Sequence, residues 1–382
     1  MESVGLSKEE IARYNRQIIL PGFGKDAQAR LKAARVMIVG LGGLGSPASM
    51  YLAAAGVGAL GIADFDKVDD SNLHRQILHD SRRTGQSKVE SATYTLSGIN
   101  PSCQLIPYPD GIHAGDLPQL FAGYDIVVDC TDNFPTRYMV NDACVLARKP
   151  LVYGSILQYE GQASFFHPLA DAPCYRCLFP EIPPPGSVPN CAEAGVIGAL
   201  CGIIGSIQAM EAIKYITGVG ETLSGRLLVV DSATMAIRTL HIKRDSQCPV
   251  CSRHARITAI EASEYEWTCT SSGTDEEVHE VEAAVLKRLL EEPEPPYLLD
   301  VREPDECEAG MIRNAVNIPL GDLGLRMKEI PKDRSVVAYC YSGMRSMNAV
   351  EMLREKGYAN AASLKGGVRE WARTVDTSFR AC

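Results

Sequence analysis

No apolar run in this chain is long enough to cross a bilayer. The longest, Val196–Ile207, spans twelve residues before Gln208, Glu211 and Lys214 interrupt it, whereas a spanning helix needs about twenty. A buried or interface helix is expected there, and no membrane partner. The N-terminus offers no basic segment followed by an apolar core and a small-residue cleavage site, so no secretory leader is expected. Thirteen cysteines without such a leader point to a reducing, cytoplasmic setting in which thiols serve metal binding or catalysis. Positive charge is also in short supply. The net charge of −9 is concentrated between Asp275 and Glu308, where thirteen acidic residues face only Lys287, Arg288 and Arg302. The near-neutral remainder argues against non-specific binding of nucleic acid. No internal repeat is visible.

What the chain has is length and alternation. Its 382 residues, 46% of them hydrophobic, suffice for two or three cores. In the first 150 residues strand and helix patterns alternate. Arg35–Gly40 predicts a strand, Leu44–Ala55 a small-residue helix, Leu60–Asp64 a strand, Ser87–Gly98 a helix and Asp125–Asp129 a strand. Such alternation predicts an α/β domain whose mostly parallel sheet carries helices on both faces. Ser164–His167 predicts a later strand, Phe179–Asn190 a proline-rich loop and Val196–Thr217 a long helix. Beyond Cys251 the pattern weakens. The polar stretch 253–276 is expected to link a first domain, 1–252, to a smaller α/β domain, 277–382. There Val278–Leu290 predicts a helix, Tyr297–Asp300 and Ser335–Cys340 strands, and Arg345–Lys356 a helix.

Between the first predicted strand and helix lies Gly40-Leu-Gly42-Gly43-Leu-Gly45. Glycines at this spacing let the backbone turn sharply and approach a phosphate at a helix N-terminus. Asp64 ends the next strand, where a carboxylate can accept from a ribose hydroxyl. A nicotinamide dinucleotide would be the default ligand, but Arg75 and Lys88 follow. Two cations beside a glycine loop suit a triphosphate better. Asp132, in Cys130-Thr-Asp132-Asn133, follows a strand and is placed to hold Mg2+.

The run from Gly40 to Asp132, together with Arg13-Tyr14-Asn15-Arg16-Gln17, closely resembles the MoeB/ThiF family, relatives of the ubiquitin-activating enzymes. The resemblance covers about residues 8–252. It implies a Rossmann-like domain that uses ATP and Mg2+ to adenylate the C-terminal glycine of a small ubiquitin-like protein ending in Gly-Gly. Asp64 would then bind the ribose, Asn72, Arg75 and Lys88 the phosphates, and Asp132 the magnesium. Asp66, Gln76 and Asn133 join the nucleotide-binding set. An arginine from Arg13 or Arg16 would reach into a partner subunit, implying a homodimer.

Two C-x-x-C pairs, Cys174 with Cys177 and Cys248 with Cys251, lie about seventy residues apart in turns. Turn-borne pairs of this kind suit a closed, structural Zn2+ site, and both match the family's zinc ligands. Cys191 follows the proline-rich loop, where activating enzymes often place a reactive cysteine. Cys340 ends a predicted strand in Cys340-Tyr341-Ser342-Gly343-Met344-Arg345, just before a helix. A loop of backbone N–H groups at a helix N-terminus, beside an arginine, favours an anionic sulfur. This run resembles the rhodanese active-site loop, as do Leu299-Asp300-Val301-Arg302-Glu303 and Leu364-Lys-Gly366-Gly367. The resemblance covers about residues 277–376 and implies a persulfide on Cys340. Met311 and Asn314 depart from it, standing where histidine and glycine are usual.

Together the halves imply a two-step enzyme. The first adenylates a ubiquitin-like sulfur carrier; the second transfers sulfur from Cys340, loaded by a donor such as a cysteine desulfurase, to form a thiocarboxylate. Cys191 would resolve the acyl disulfide. Activation for conjugation, a carrier-binding scaffold without catalysis, and a dehydrogenase with an appended sulfurtransferase remain alternatives.

Overall fold

The computed structural model describes residues 5–168, 172–183, 195–265 and 279–379. These residues divide into two compact units, the first ending within the described chain at Tyr265 and the second starting at His279.

In the first unit the strands are β1 Arg35–Val39, β2 Ala59–Ala63, β3 Gln104–Tyr108, β4 Ile126–Asp129, β5 Leu151–Leu157, β6 Glu160–Phe166, β7 Arg226–Asp231 and β8 Ala236–His241. They form one sheet in the order β3-β2-β1-β4-β5-β6-β7-β8. Strands β1 to β5 run parallel, and β6, β7 and β8 join antiparallel. Apolar residues fill both faces of β1: Val36 and Ile38 enter one core, Met37 and Val39 the other. Double burial is what a continuous apolar run encodes in a parallel strand. Contrary to the expectation from the twelve-residue run, the helix there extends over Gly198–Thr217 and is by length and composition alone long and apolar enough to cross a membrane. In this structure it packs on the helix Gly45–Ala55 and on β5 and β6, burying Leu200, Ile204, Ala209 and Ala212.

Four strands of this unit went unread in the sequence, β3, β5, β7 and β8. Pro107 lies within β3, and proline argues against a strand unless the strand is an edge, as β3 is. β8 is exposed along its whole length and lacks any alternation. The stretch expected to be a linker is also partly committed. Ile260 and Tyr265 are buried in the first unit, and the Tyr265 hydroxyl donates to Asp142 Oδ2 at 2.8 Å.

The second unit has β9 Glu280–Val281, β10 Tyr297–Asp300, β11 Val316–Asn317, β12 Val336–Tyr339 and β13 Ala361–Leu364, all parallel, in the order β11-β10-β12-β13-β9. The helix expected from residue 278 begins at Ala283, because Glu280 and Val281 pair with β13 instead. Along β12, Val336 and Ala338 face one core, with Cys340 just beyond, and Val337 and Tyr339 face the other. Asn314 takes φ +66°, a left-handed conformation that asparagine tolerates among non-glycine residues; the departure from glycine there keeps the turn.

Asp300 ends β10 and pairs with Arg302 at 2.7 Å, both side chains fully buried. Arg302 also donates to the Gly310 carbonyl at 2.8 Å. Removing one partner of a buried pair leaves an uncompensated charge. Asp300→Ala is therefore expected to lose about 3–5 kcal/mol of second-unit stability in urea unfolding. A loss below about 1 kcal/mol, the range of exposed pairs, would contradict this.

Candidate functional site

The first candidate site forms where β1 passes into the helix Gly45–Ala55. Gly40 holds φ +92°, and a Cβ on Gly45 would stand 2.0 Å from the Gly40 carbonyl oxygen. Only glycine permits this closeness, and it leaves room for a phosphate at the helix N-terminus. Asp64 follows β2 directly. Its carboxylate accepts from the Leu41 N–H at 2.7 Å and from the Asp66 N–H at 2.8 Å. Burial pushes its pKa up, while the Lys88 charge pulls it back. A carboxylate has about four lone-pair positions, so acceptors remain for a ribose.

The cations gather around this loop. Buried Lys88 opens the helix Lys88–Ile99 and places Nζ 2.8 Å from Asp66 Oδ2. Arg75 donates to Asn72 Oδ1 at 2.5 Å, and its aliphatic stem approaches Gly43. Gln76 is buried beside Gly42, and its Oε1 has no hydrogen-bond partner among the described residues. Asp132 is exposed beyond β4, in the loop whose Cys130 and Thr131 backbone presses on Gly40. Asn133 serves as a cap: its Oδ1 accepts from the Thr136 N–H at 2.9 Å and opens the helix Phe134–Leu146.

Arg13 and Arg16 lie on the helix Lys8–Ile18, started by a Ser7–Glu10 capping box. Tyr14 is buried between them and accepts from Asn100 Nδ2 at 2.8 Å. Arg13 donates to the Ile99 carbonyl of its own chain, whereas Arg16 is exposed in the last turn.

In the second unit Cys340 is fully buried at the end of β12. The Gly343 N–H points to its Sγ at 3.2 Å, and Gly343, at φ +102°, caps the helix Met344–Glu355. The Ser346 hydroxyl lies 3.7 Å from the same sulfur and 2.8 Å from the Ser363 hydroxyl. A Cβ on Gly367 would meet the Cys340 carbonyl oxygen at 2.4 Å, so Gly366-Gly367 lets the next loop close on the cradle. Tyr341, Ser342 and Met344 complete the loop, half-buried. Arg345 is turned to Glu306, making two hydrogen bonds at 2.6 and 2.8 Å. Burial alone would raise the Glu306 pKa, but the Arg345 and Glu303 hydrogen bonds outweigh it and hold it below the usual value.

The sulfurs of Cys174, Cys177, Cys248 and Cys251 all lie within 4.8 Å of one another. The Cys174–Cys177, Cys174–Cys248 and Cys177–Cys251 separations are 3.9, 3.6 and 3.4 Å. Tetrahedral zinc with Zn–S bonds of about 2.3 Å puts its sulfurs about 3.8 Å apart, so the cluster fits the ion. Close by, Arg176 grips Asp142 with its shortest bond at 2.7 Å, tying the first pair of cysteines to the helix Phe134–Leu146.

The ThiF family profile matches residues 14–250, and the rhodanese-like domain profile matches residues 282–374. The chain belongs to the ThiF family. It is 44% identical to the probable adenylyltransferase/sulfurtransferase MoeZ of Mycobacterium tuberculosis over 381 residues, covering 97% of this chain and 95% of that protein. It is 42% identical to the adenylyltransferase and sulfurtransferase MOCS3 of Drosophila sechellia, covering 98% of this chain and 85% of that one. A crystal structure of E. coli MccB with ATP shares the fold at a TM-score of 0.53 and 24% identity, over 66% of this chain and 75% of the other. With a ThiF domain and a rhodanese domain on one chain, the protein is an adenylyltransferase and sulfurtransferase.

Within the ThiF domain the structure brings Gly40, Gly42, Gly43, Gly45, Asp64, Asp66, Asn72, Arg75, Gln76 and Lys88 together around one loop. Cys191 lies outside the described residues. Sequence reading missed Asp129 and Arg137, which sit behind Asp132. Asp129 is fully buried and accepts from the Thr131 N–H at 2.9 Å; Arg137 Nε lies 3.6 Å from its Oδ2 and donates from Nη2 to the Thr131 carbonyl at 2.7 Å. No local signal pointed to the pair: Arg137 shares its helix face with Phe134 and Val140 but also with the polar Asn141. Ser363 was missed because an isolated serine carries no pattern, and Ser346, which directly follows Arg345 in the Cys340 run, was given no role. The four-cysteine cluster yields the prediction here. The protein as purified should hold about one equivalent of zinc by elemental mass spectrometry, and Cys174→Ser should lose it and lower the first unit's melting temperature. Full zinc retention by that variant would contradict the assignment.

Proposed function

We propose that the protein adenylates the C-terminal glycine of a ubiquitin-like sulfur carrier and then converts it to a thiocarboxylate with sulfur from Cys340. The observation that carries this reading is one chain bearing both a phosphate cradle, with Lys88 and Arg75 beside it, and a sulfur cradle around Cys340. A carboxylate attacks an anionic α-phosphate only if cations neutralise the triphosphate and the departing pyrophosphate. Lys88 and Arg75 supply that charge, leaving Asp66 and Asn72 as they turn to the nucleotide, and Arg16 of a second subunit adds to it in a homodimer. Asp64 accepts from the ribose. Asp132 would hold Mg2+, which when bound would add positive charge beside the triphosphate.

The carrier docks along β8. This edge strand exposes Ile237 and Leu240, with Met235 in the preceding turn, by more than half their surface, and an unpaired edge accepts a strand from a small β-rich partner. A donor such as a cysteine desulfurase loads Cys340 as a persulfide. Its outer sulfur attacks the acyl-adenylate carbonyl, forming a C–S bond as the C–O bond to AMP breaks. The Cys191 thiolate then attacks the Cys340 sulfur of the acyl disulfide. Carrier thiocarboxylate leaves, and a Cys191–Cys340 disulfide remains for an external thiol to reduce. The cytoplasm supplies such thiols.

Incubation with Mg·ATP, a persulfide donor and a ubiquitin-like protein ending in Gly-Gly tests the scheme by intact mass. The carrier should exchange one oxygen for one sulfur. Cys340→Ala should abolish that product yet keep ATP–pyrophosphate exchange, while Asp132→Ala should lower exchange about a hundredfold or more. Thiocarboxylate formation at the wild-type rate by Cys340→Ala would refute the assignment of Cys340.

A further inference from the structure

His79 is the one buried histidine among the described residues, and no step above uses it. Its Nε2 lies 3.0 Å from the carbonyl oxygen of Leu41, inside the Gly40–Gly45 loop. Its Nδ1 lies 2.8 Å from the Ser91 hydroxyl on the helix Lys88–Ile99. A carbonyl only accepts, so Nε2 carries the hydrogen. The neutral ring then has a bare Nδ1, which accepts from the Ser91 hydroxyl. Burial pushes the pKa of His79 down to about 4, so this neutral tautomer is the one present near neutral pH.

The two peptide groups that flank the Leu41 Cα are consequently both held. The Leu41 N–H donates to Asp64 at 2.7 Å and the Leu41 C=O accepts from His79. Behind the ring, Arg83 donates to the Ser91 carbonyl at 2.7 Å and to Asp80 at 2.7 Å, which anchors the helix side of the chain. One imidazole therefore connects the helix that carries Lys88 to the loop that faces the phosphates and to the carboxylate that faces the ribose.

We propose that His79 is a positioning residue for nucleotide binding: its Nε2–H fixes the Leu41 carbonyl so that the glycine loop, Asp64 and Lys88 keep one geometry. The proposal rests on the assignment of the ATP site given above. It makes the donor, not the bulk or the charge of the ring, the property that matters. Glutamine places an amide N–H near the position of Nε2; leucine fills similar space with no donor and orphans a buried carbonyl.

The test is calorimetric titration of the full-length protein with Mg·ATP, with melting temperatures measured in parallel. His79→Leu should weaken ATP binding about 5- to 30-fold, the worth of one buried hydrogen bond and its orphaned partner. His79→Gln should stay within about threefold of wild type. Asp64→Ala serves as the control for the site itself. Should His79→Leu not fold, His79→Asn, whose shorter side chain stops near Nδ1 and cannot reach Leu41, takes its place with the same expected loss. Equal losses in His79→Leu and His79→Gln would overturn the proposal, since the donor would then be irrelevant. Wild-type affinity in His79→Leu with a loss in Asp64→Ala would overturn it while leaving the ATP site standing. Wild-type affinity in both would overturn the ATP site and the proposal together.

Discussion

Each unit of this protein places a buried aspartate at the end of a central parallel strand and a buried arginine against it. Asp129 with Arg137 lies behind the Thr131–Asp132 loop; Asp300 with Arg302 lies beside Tyr339, the residue before Cys340. Removing such a pair from water costs roughly what the attraction returns, so neither pair is a large source of net stability. What the pairs supply is one permitted geometry. Arg137 holds the Thr131 carbonyl and Arg302 the Gly310 carbonyl. A shifted loop would leave a charge unpaired in a dry interior, and that penalty confines the Thr131–Asp132 loop and the Gly310 turn to their places.

Backbone closeness completes what buried charge begins. Gly45 against Gly40 and Gly367 against the Cys340 carbonyl are contacts that no side chain tolerates. Both anion cradles are therefore built from main-chain N–H groups at helix starts, which carry fixed partial charge and need no reorganisation. The placement of Arg345 fits the same logic. Its guanidinium is engaged by Glu306, so the sulfur is met by Gly343 N–H and by the Ser346 hydroxyl, itself bonded to Ser363. The four-cysteine cluster stands apart from both reactions. It joins the turn at Cys174 to the turn at Cys248 and, with its four positions filled by sulfur, leaves no open site for chemistry.

Local patterns carried much of this into the sequence. The glycine loop, the C-x-x-C pairs and the run after Cys340 each compress a contact into a few adjacent residues, and the strands buried on both faces read as apolar runs. Partners distant in sequence were not legible. Nothing near Glu306 announces Arg345, and nothing near Asp129 announces the buried guanidinium of Arg137. Residue type misled in places too: Pro107 hid an edge strand, and polar residues between 253 and 265 hid the burial of Ile260 and Tyr265. The capping role of Asn133, whose Oδ1 accepts from the Thr136 N–H, went unread beside its expected place in the nucleotide-binding set. The edge strand and the burial of Ile260 and Tyr265 depend on tertiary neighbours that a local window does not contain.

The central claim is that sulfur passes straight from Cys340 to the activated carrier. Non-reducing peptide mapping of a Cys191→Ala variant, quenched during turnover with Mg·ATP, a persulfide donor and the carrier, tests it most directly. The account predicts the carrier's C-terminal peptide joined to the Cys340 peptide through an acyl disulfide, carrying one sulfur more than a thioester. A carrier joined through a plain thioester, or to any other cysteine, would contradict it.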